Sequence, residues 1–543
     1  MGDILRIGVT GLQAAQRALS TTGNNITNVN TPGYSRQRVD FSPEQDQNIG
    51  GLAIGKGVNI ERVSRVVNEF LNTNVQTSAT NVGGMASYNT YSSQVDKLLA
   101  DNVIGLSPSM QDFFDSVNGL ADDPSSVPTR QTMLGSAESL TAKFHTLNRQ
   151  LDQLDNGVNQ ELRANVSQIN SLTAQIADIN GKLTQVNGND AGSNSLNDQL
   201  GQAVNELSRL VGVTTNKQAG GGLNIMTSGG QVLVSGSNNY ELGTQLNPQK
   251  PSQLEVTYQV GSNNVAIASS TLTGEIGGLL KVREEVLDKA RNSLGRLAAG
   301  LALEFNNLQA GGRDLNGVLG GDLFSLPTPL SASGEGAVTG AMNFSFNPAQ
   351  VDQLTTSDYR ISFDGAVYTA TRLSDNTQTN LGAGPALSVD GLNITVTTGA
   401  AANDSFIIQP MKDIAREIKV AISDPKEIAA AADPFTGVGD NSNALNMADL
   451  QLNNILEGGN ASFNDAYSQL IGDVGTKSRQ AKTGLEAMEA VEQSAIEARE
   501  SVSGVNLDEE AADMLKFQQA YQAAAKVIAV GNELFGTLLQ AVR

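Results

Sequence analysis

The chain has 543 residues, enough for three to four domains at roughly 150 residues each. Acidic residues outnumber basic ones, 56 to 35, for a formal charge of -21, which argues against a phosphate-backbone partner, so no nucleic acid is expected. The absence of cysteine and a lone histidine, His145, exclude thiol nucleophiles, Cys-ligated zinc, iron-sulfur clusters and any Ser-His-Asp triad not built on His145; no enzyme, cofactor or metal site is expected.

The first predicted element is a helix, in which Leu5, Leu12, Leu19 and Ile26 recur every seven residues with Gly8, Ala15, Thr22 and Val29 three places after each. The small row lets a partner backbone approach closely, and the large row fills the gap between two helices. The opening residues carry neither a secretory signal nor, with Arg6 where Ser or Thr is needed, a myristoylation motif. Apolar stretches fall short of the roughly 20 residues a membrane-spanning helix requires, so no membrane insertion is expected.

Gly50 to Gly57 resembles a phosphate-binding loop up to Lys56, but Gly57 replaces the Ser or Thr that would hold magnesium. Val58 to Val63 alternates like a strand, which makes the segment a Gly-rich turn before a strand. A long helical region is predicted from about Leu134 to Leu210. Its apolar rhythm through Leu140, Phe144, Leu147, Leu151, Leu154 and Val158 resumes at Ile169 after an 11-residue step, a stutter that unwinds a supercoil without ending the helix. The polar run Asn187 to Asn194 reads as a turn, and Leu196 onwards as a returning antiparallel helix. His145 falls on the surface of this region.

Short β-branched runs separated by Gly, Asn and Ser make Val213 to Leu272 strand-rich. Helix is predicted again at about Leu279 to Leu308. In Val338 to Pro410, Tyr359 to Phe363 faces Val367 to Thr371 across Asp364-Gly365, a hairpin signal, with further strands at Leu392 to Thr397 and Ser405 to Ile408. Helices are expected at Asp413 to Ala432 and Ala444 to Gly504. At the end, Met514, Tyr521, Ile528, Phe535 and Val542 form one seven-residue row, and Phe517, Ala524, Gly531 and Leu538 the other. Asp508, Glu509 and Glu510 precede that helix, where they favour its positive dipole end.

These elements make a multidomain α+β chain with a nested order. Residues 1–45 with 500–543 form a terminal coiled coil; residues 46–212 with 273–335 and 411–499 form an elongated helical bundle; residues 213–272 are a small β insertion and residues 336–410 an outer β domain. A two-stranded seam rich in Gly and Ala buries little area at about 25 cal/mol per Å², barely offsetting its ordering entropy. The chain ends are therefore expected to need neighbouring subunits, in a self-assembled tube or ring.

Gly11-Leu12-Gln13-Ala14-Ala15-Gln16-Arg17-Ala18-Leu19, followed by Asn24 to Gln37 with Asn25, Asn28, Pro32, Gly33 and Tyr34, resembles the N-terminal signature of bacterial flagellar axial proteins. Ser503 to Ala512 and Phe517 to Ile528 resemble the matching C-terminal signature, in the right order. Within that family, the Pro-Gly-Tyr-Ser-Arg-Gln run, the helical hairpin and the length are most similar to the first of the two hook to filament junction proteins. The resemblance implies a non-enzymatic structural subunit, exported unfolded by the flagellar type III apparatus to the cell exterior and assembled distal to the hook. Implied partners are other copies of itself, the hook protein, a second junction protein (the third hook-associated protein) and a cytosolic export chaperone covering Met514, Phe517, Tyr521 and Ile528. Candidate interface residues are Leu5, Leu12, Leu19, Ile26, Met514, Phe517, Tyr521, Ile528, Phe535 and Leu538. The alternatives are another axial protein, such as the hook protein or third hook-associated protein, and a secreted adhesin or effector acting through its β domains.

Overall fold

A computed structural model describes residues 2–45, 47–49, 52–101, 103–186, 191–218, 222–261, 263–327, 330–336 and 338–541. Gly50, Gly51, the Asn187 to Asp190 part of the expected turn, and Val542 lie outside the described residues.

The two chain ends lie together. An N-terminal helix, Gly2–Thr27, packs along a C-terminal helix, Leu507–Ala541. After it, Gln37–Pro43 pairs antiparallel with Val58–Arg65. Val39 and Val63 on this ribbon bury against Ala18 of the first helix, with Phe517 of the last helix packed on the same cluster.

Beyond the ribbon the molecule is a helical bundle. Glu69–Leu99 runs beside Phe463–Ser503, and Val127–Gln185, a 59-residue helix of roughly 90 Å at 1.5 Å per residue, packs against Ala191–Leu210. Ser126 caps the long helix by accepting from the Thr129 N–H. The 11-residue step does not interrupt it, because Val158, Leu162, Val166 and Ile169 stay buried and keep one apolar stripe continuous. Gly274–Val282, a π-helical turn at Arg283–Leu287 and Asp288–Gly311 form one further unbroken helical run. At the bundle's centre Phe305 packs on Phe113 at 5.0 Å between ring centroids, and on Phe114 and Phe324 at 6.0 and 6.1 Å. Phe113 and Phe114 belong to Ser107–Asp122, a helix the apolar spacing alone did not single out.

Both strand-rich stretches are antiparallel insertions between bundle helices. The first holds a four-stranded sheet, from Val213–Lys217 to Asn238–Asn239, and a three-stranded one built around Leu254–Val260. The second, joined by the strands Leu330–Ser331 and Ser333–Gly334 from ahead of its expected start, holds a five-stranded and a four-stranded sheet. Its hairpin pairs Tyr359–Phe363 with Tyr368–Arg372. Asp364 fixes the turn by accepting from the Ala366 and Val367 amides.

Two helical expectations need correction. Asp413 to Ala432 holds one α-helical turn, Ile414–Glu417, and one 3-10 turn, Pro425–Glu427, with extended chain on either side of the latter. Lys419–Val420 pairs with Phe324–Ser325 and Ala431–Ala432 with Gly312–Arg313. Pro425 opens a 3-10 turn at a position that needs no N–H donor, and the apolar run Ile428, Ala429 and Ala430 is buried in the bundle without helical periodicity. Ala444 to Gly504 is likewise broken, into Ser442–Asp449 and Phe463–Ser503. Positive φ at Glu457, Gly458 and Gly459 reverses the chain there, and a capping box of Ser462 and Asp465 restarts it.

Candidate functional site

The paired ends meet at a seam of small residues. A Cβ placed on Gly8 would stand 2.7 Å from Ile528 Cγ1, and one on Gly531 would stand 2.9 Å from Leu5 Cδ2. Each glycine therefore receives a large side chain from the opposite helix, which would have to shift to make room for a Cβ. Ala14, Ala15 and Ala18 are buried, whereas Leu12, Leu19 and Ile26 are half-buried. On the C-terminal helix Phe517 and Ile528 are half-buried, while Met514, Tyr521, Phe535 and Leu538 are exposed. Leu5, Ile528 and Phe517 are thus brought into contact across the pair or with the ribbon, and the exposed four are not covered within one chain. A further apolar groove lined by Ile4, Ala523, Val527, Val530 and Leu534 lies between the two helices, with Lys526 at its side.

Where the first helix ends, the signature residues close a polar clasp. Asn25 is 1 % exposed. Its Nδ2 donates to the Gln37 carbonyl at 2.9 Å and to Glu510 Oε2 at 3.0 Å, and its Oδ1 accepts from the Gln37 amide at 3.0 Å and the Tyr34 hydroxyl at 2.8 Å. The side-chain amide thereby acts as one more peptide unit beside the ribbon, leaving no buried polar atom of Asn25 unpaired. Glu510, equally buried, accepts from Arg36 Nε at 2.7 Å, and Arg36 also reaches Glu509 at 2.6 Å. The Arg36 amide donates to the Ser503 carbonyl at 2.9 Å. Residues 485 positions apart in the chain are held by charge-assisted hydrogen bonds.

The remaining signature residues shape the loop. Asn28 Nδ2 donates to the Asn24 carbonyl at 2.9 Å, and its Oδ1 accepts from the Thr31 hydroxyl at 3.2 Å; Pro32 and Gly33 are exposed at the turn, with Gly33 at φ +78°. The Tyr34 hydroxyl is pushed up to about 12 by burial and by the Asp198 and Glu510 carboxylates. Burial opposes the Arg36 charge, but Glu510 and Glu509 more than offset it and raise its pKa.

Sequence reasoning placed the acidic triplet at the helix start for dipole reasons, and it does occupy the first turn. It missed that Glu510 turns inward to Asn25 and Arg36; the available signal was Arg36 in the loop of one signature and three carboxylates in the other. His145 is half-buried on the long helix, with Nε2 2.7 Å from the Ile418 carbonyl oxygen. Lys56 precedes the strand Val58–Arg65, not a helix that could cradle phosphate.

Family comparisons match the chain in four places. Residues 92–324 match "Flagellar hook-associated protein FlgK helical domain" and residues 331–410 match "Flagellar hook-associated protein 1, D2-like domain". Residues 5–34 match "Flagella basal body rod protein" and residues 498–541 "Flagellar basal body rod FlgEFG protein C-terminal". The chain is 36% identical to the flagellar hook-associated protein 1 of Salmonella typhimurium over 99% of its own length and 100% of that protein's. It is 34% identical, over the same shares, to the protein of that name from Escherichia coli. In fold it is similar to the flagellar hook junction protein FlgK from Burkholderia pseudomallei, with a TM-score of 0.73 at 24% identity, over 80% of this chain and 100% of that one.

Proposed function

The chain belongs to the flagellar hook-associated protein 1 family, and from that membership we propose how its geometry serves as a structural subunit at the junction of the flagellar hook and filament. The observation that carries the reading is the clasp, in which Asn25, Arg36 and Glu510 tie the two ends of the chain to one ribbon. A subunit built this way presents its paired end helices at one pole and its bundle and β insertions away from it. The end helices would line the axis of a tube, the bundle would form the wall and the β domains would face outward. Met514, Tyr521, Phe535 and Leu538, uncovered within one chain, would be covered by neighbouring copies.

On this reading the subunit adapts a flexible hook to a stiffer filament, contacting the hook protein on one side and the third hook-associated protein on the other. It leaves the cell through the flagellar export apparatus and carries out no chemistry. Before export, an amphipathic face with Met514, Phe517, Tyr521 and Ile528 suits a chaperone groove, since a helix laid into an apolar groove is read at such spacing. Electron microscopy of cells with an in-frame deletion of the gene, with the medium probed for flagellin, tests the proposal. Bare hooks with unpolymerised flagellin outside are expected; filaments of normal length on the deletion strain would refute a junction role.

A further inference from the structure

Three separate parts of the chain converge on one buried ionic node. From the long helix come Asp155 and Asn159, and from the π-helical turn comes Arg283, whose Nε donates to Asp155 at 2.7 Å and whose NH2 group donates to Asn159 Oδ1 at 2.7 Å. The first β insertion is stitched onto these groups by its backbone. Arg283 NH1 donates to the Leu254 carbonyl at 2.9 Å, the Leu254 amide donates to Asn159 Oδ1 at 2.9 Å, and Asn159 Nδ2 donates to the Ser252 carbonyl at 2.8 Å. That insertion also supplies Lys250, followed directly by Pro251, which stiffens the turn.

Lys250 Nζ donates to Asp288 Oδ2 of the bundle at 2.6 Å and lies 3.9 Å from Asp358 Oδ2 at the base of the second β domain. Asp288 has a second cation, Arg291, at 3.2 Å. Asp358 has none: among the described residues Lys250 is the sole cation within 4.0 Å of it. Neutral donors complete its shell, with Gln409 Nε2 at 3.0 Å and Asn292 Nδ2 at 3.3 Å. The Asp358 side chain is 12% exposed, so its charge is held away from water and depends on that one ammonium.

We propose that Lys250 is a lock joining the two β insertions to the bundle as one rigid body, through its shared grip on Asp288 and Asp358. The two β domains are then not modules swinging on separate tethers; the outer domain keeps its angle to the wall because a residue of the other insertion neutralises the carboxylate at its base. Burial raises the Asp358 pKa despite Lys250, in keeping with a carboxylate that has little compensation to spare.

Hydrogen exchange of the full-length chain, read by mass spectrometry, tests this. In Lys250→Met, peptides across 354–361 and 405–411 are expected to exchange roughly tenfold faster, while the bundle peptide 134–151 is unchanged. Lys250→Arg keeps the charge and is expected to hold those peptides near wild type. Unchanged exchange at 354–361 and 405–411 overturns the lock, and so does equal acceleration in 134–151, which signals general destabilisation. Asp358→Asn, which removes the charge and keeps the shape, is the second variant. It is expected to loosen the same peptides, and a wild-type pattern in it overturns the lock even where Lys250→Met does not fold.

Discussion

The bundle and the paired chain ends are both helical, yet they are held by different means. Around Phe305 the bundle closes on itself: Phe113, Phe114 and Phe324 surround a ring that is fully buried, so its stability is internal to the chain. The end helices share a seam of Gly8, Gly11, Ala524 and Gly531, and leave Val530, Leu534, Phe535, Leu538 and Leu539 in solvent. Small residues bring two backbones close but bury little area, and at about 25 cal/mol per Å² the seam gains far less than an aromatic core. What one chain lacks there, several chains can supply. The difference separates a part whose core closes within one chain from a part that leaves much of its apolar surface exposed.

The strongest way to expose that difference is to damage the bundle. Phe305→Ala removes a fully buried ring that three others contact and is expected to cost about 3–5 kcal/mol, read as a large fall in the main thermal transition of the purified chain. If the transition barely moves, the aromatic cluster is not what holds the bundle.

Glu510→Ala addresses the other region. It strips both Asn25 Nδ2 and Arg36 Nε of a partner, a loss of about 2–3 kcal/mol where a buried donor is left unpaired. The main thermal transition should stay in place, since none of these contacts touches the bundle core. Proteolysis within 507–541 should accelerate, and complemented deletion cells should release flagellin instead of building filaments. A shifted main transition would mean that the ends and the bundle melt together, which erases the contrast.

A subtler change tests the seam itself. Gly8→Ala puts a methyl 2.7 Å from Ile528 Cγ1, and forcing the helices apart is expected to cost about 1–2 kcal/mol. Ile528→Ala in the same chain removes the clashing atom, so the double variant should be less impaired than the two single effects added together. Strict additivity, in protease resistance of the ends, would place Ile528 out of contact with Gly8.

How much of this was legible in the sequence follows from where each signal comes from. Seven-residue rows such as Leu5 to Ile26 report local helical geometry, and the hairpin at Asp364-Gly365 is written in adjacent residues, so the terminal helices and the outer sheet could be read directly. The segment Ile428 to Ala431 could not: its apolar run fits a helix by composition, and only its tertiary place, buried in the bundle and leading into the pairing of Ala431–Ala432 with Gly312–Arg313, makes it extended. Ser107–Asp122 was hidden for a related reason, since Phe113 and Phe114 report burial without a long periodic run. Of the site, Asn25 and Tyr34 stood out through a resemblance, and Glu510 was visible as an acid at a helix start. Its inward turn depends on Asn25 and Arg36, more than 470 positions away, a separation that no window of local sequence spans.

Tyr34 offers the last test, a pH dependence carried by the clasp. Its folded value of about 12 lies above the ordinary 10.0, so the fold favours the neutral phenol. That contribution is complete below pH 10 and is lost as pH rises through 12. The chemistry agrees with the direction, because a phenolate cannot donate to Asn25 Oδ1 and would stand near Glu510 and Asp198. Tyrosinate absorbance of wild type minus Tyr34→Phe should reveal one late-titrating phenol, and clasp protection against proteolysis should fade over the same range in wild type only. A Tyr34 that titrates at its ordinary value would mean that the clasp is open in the free chain and that the ends are ordered only by their neighbours.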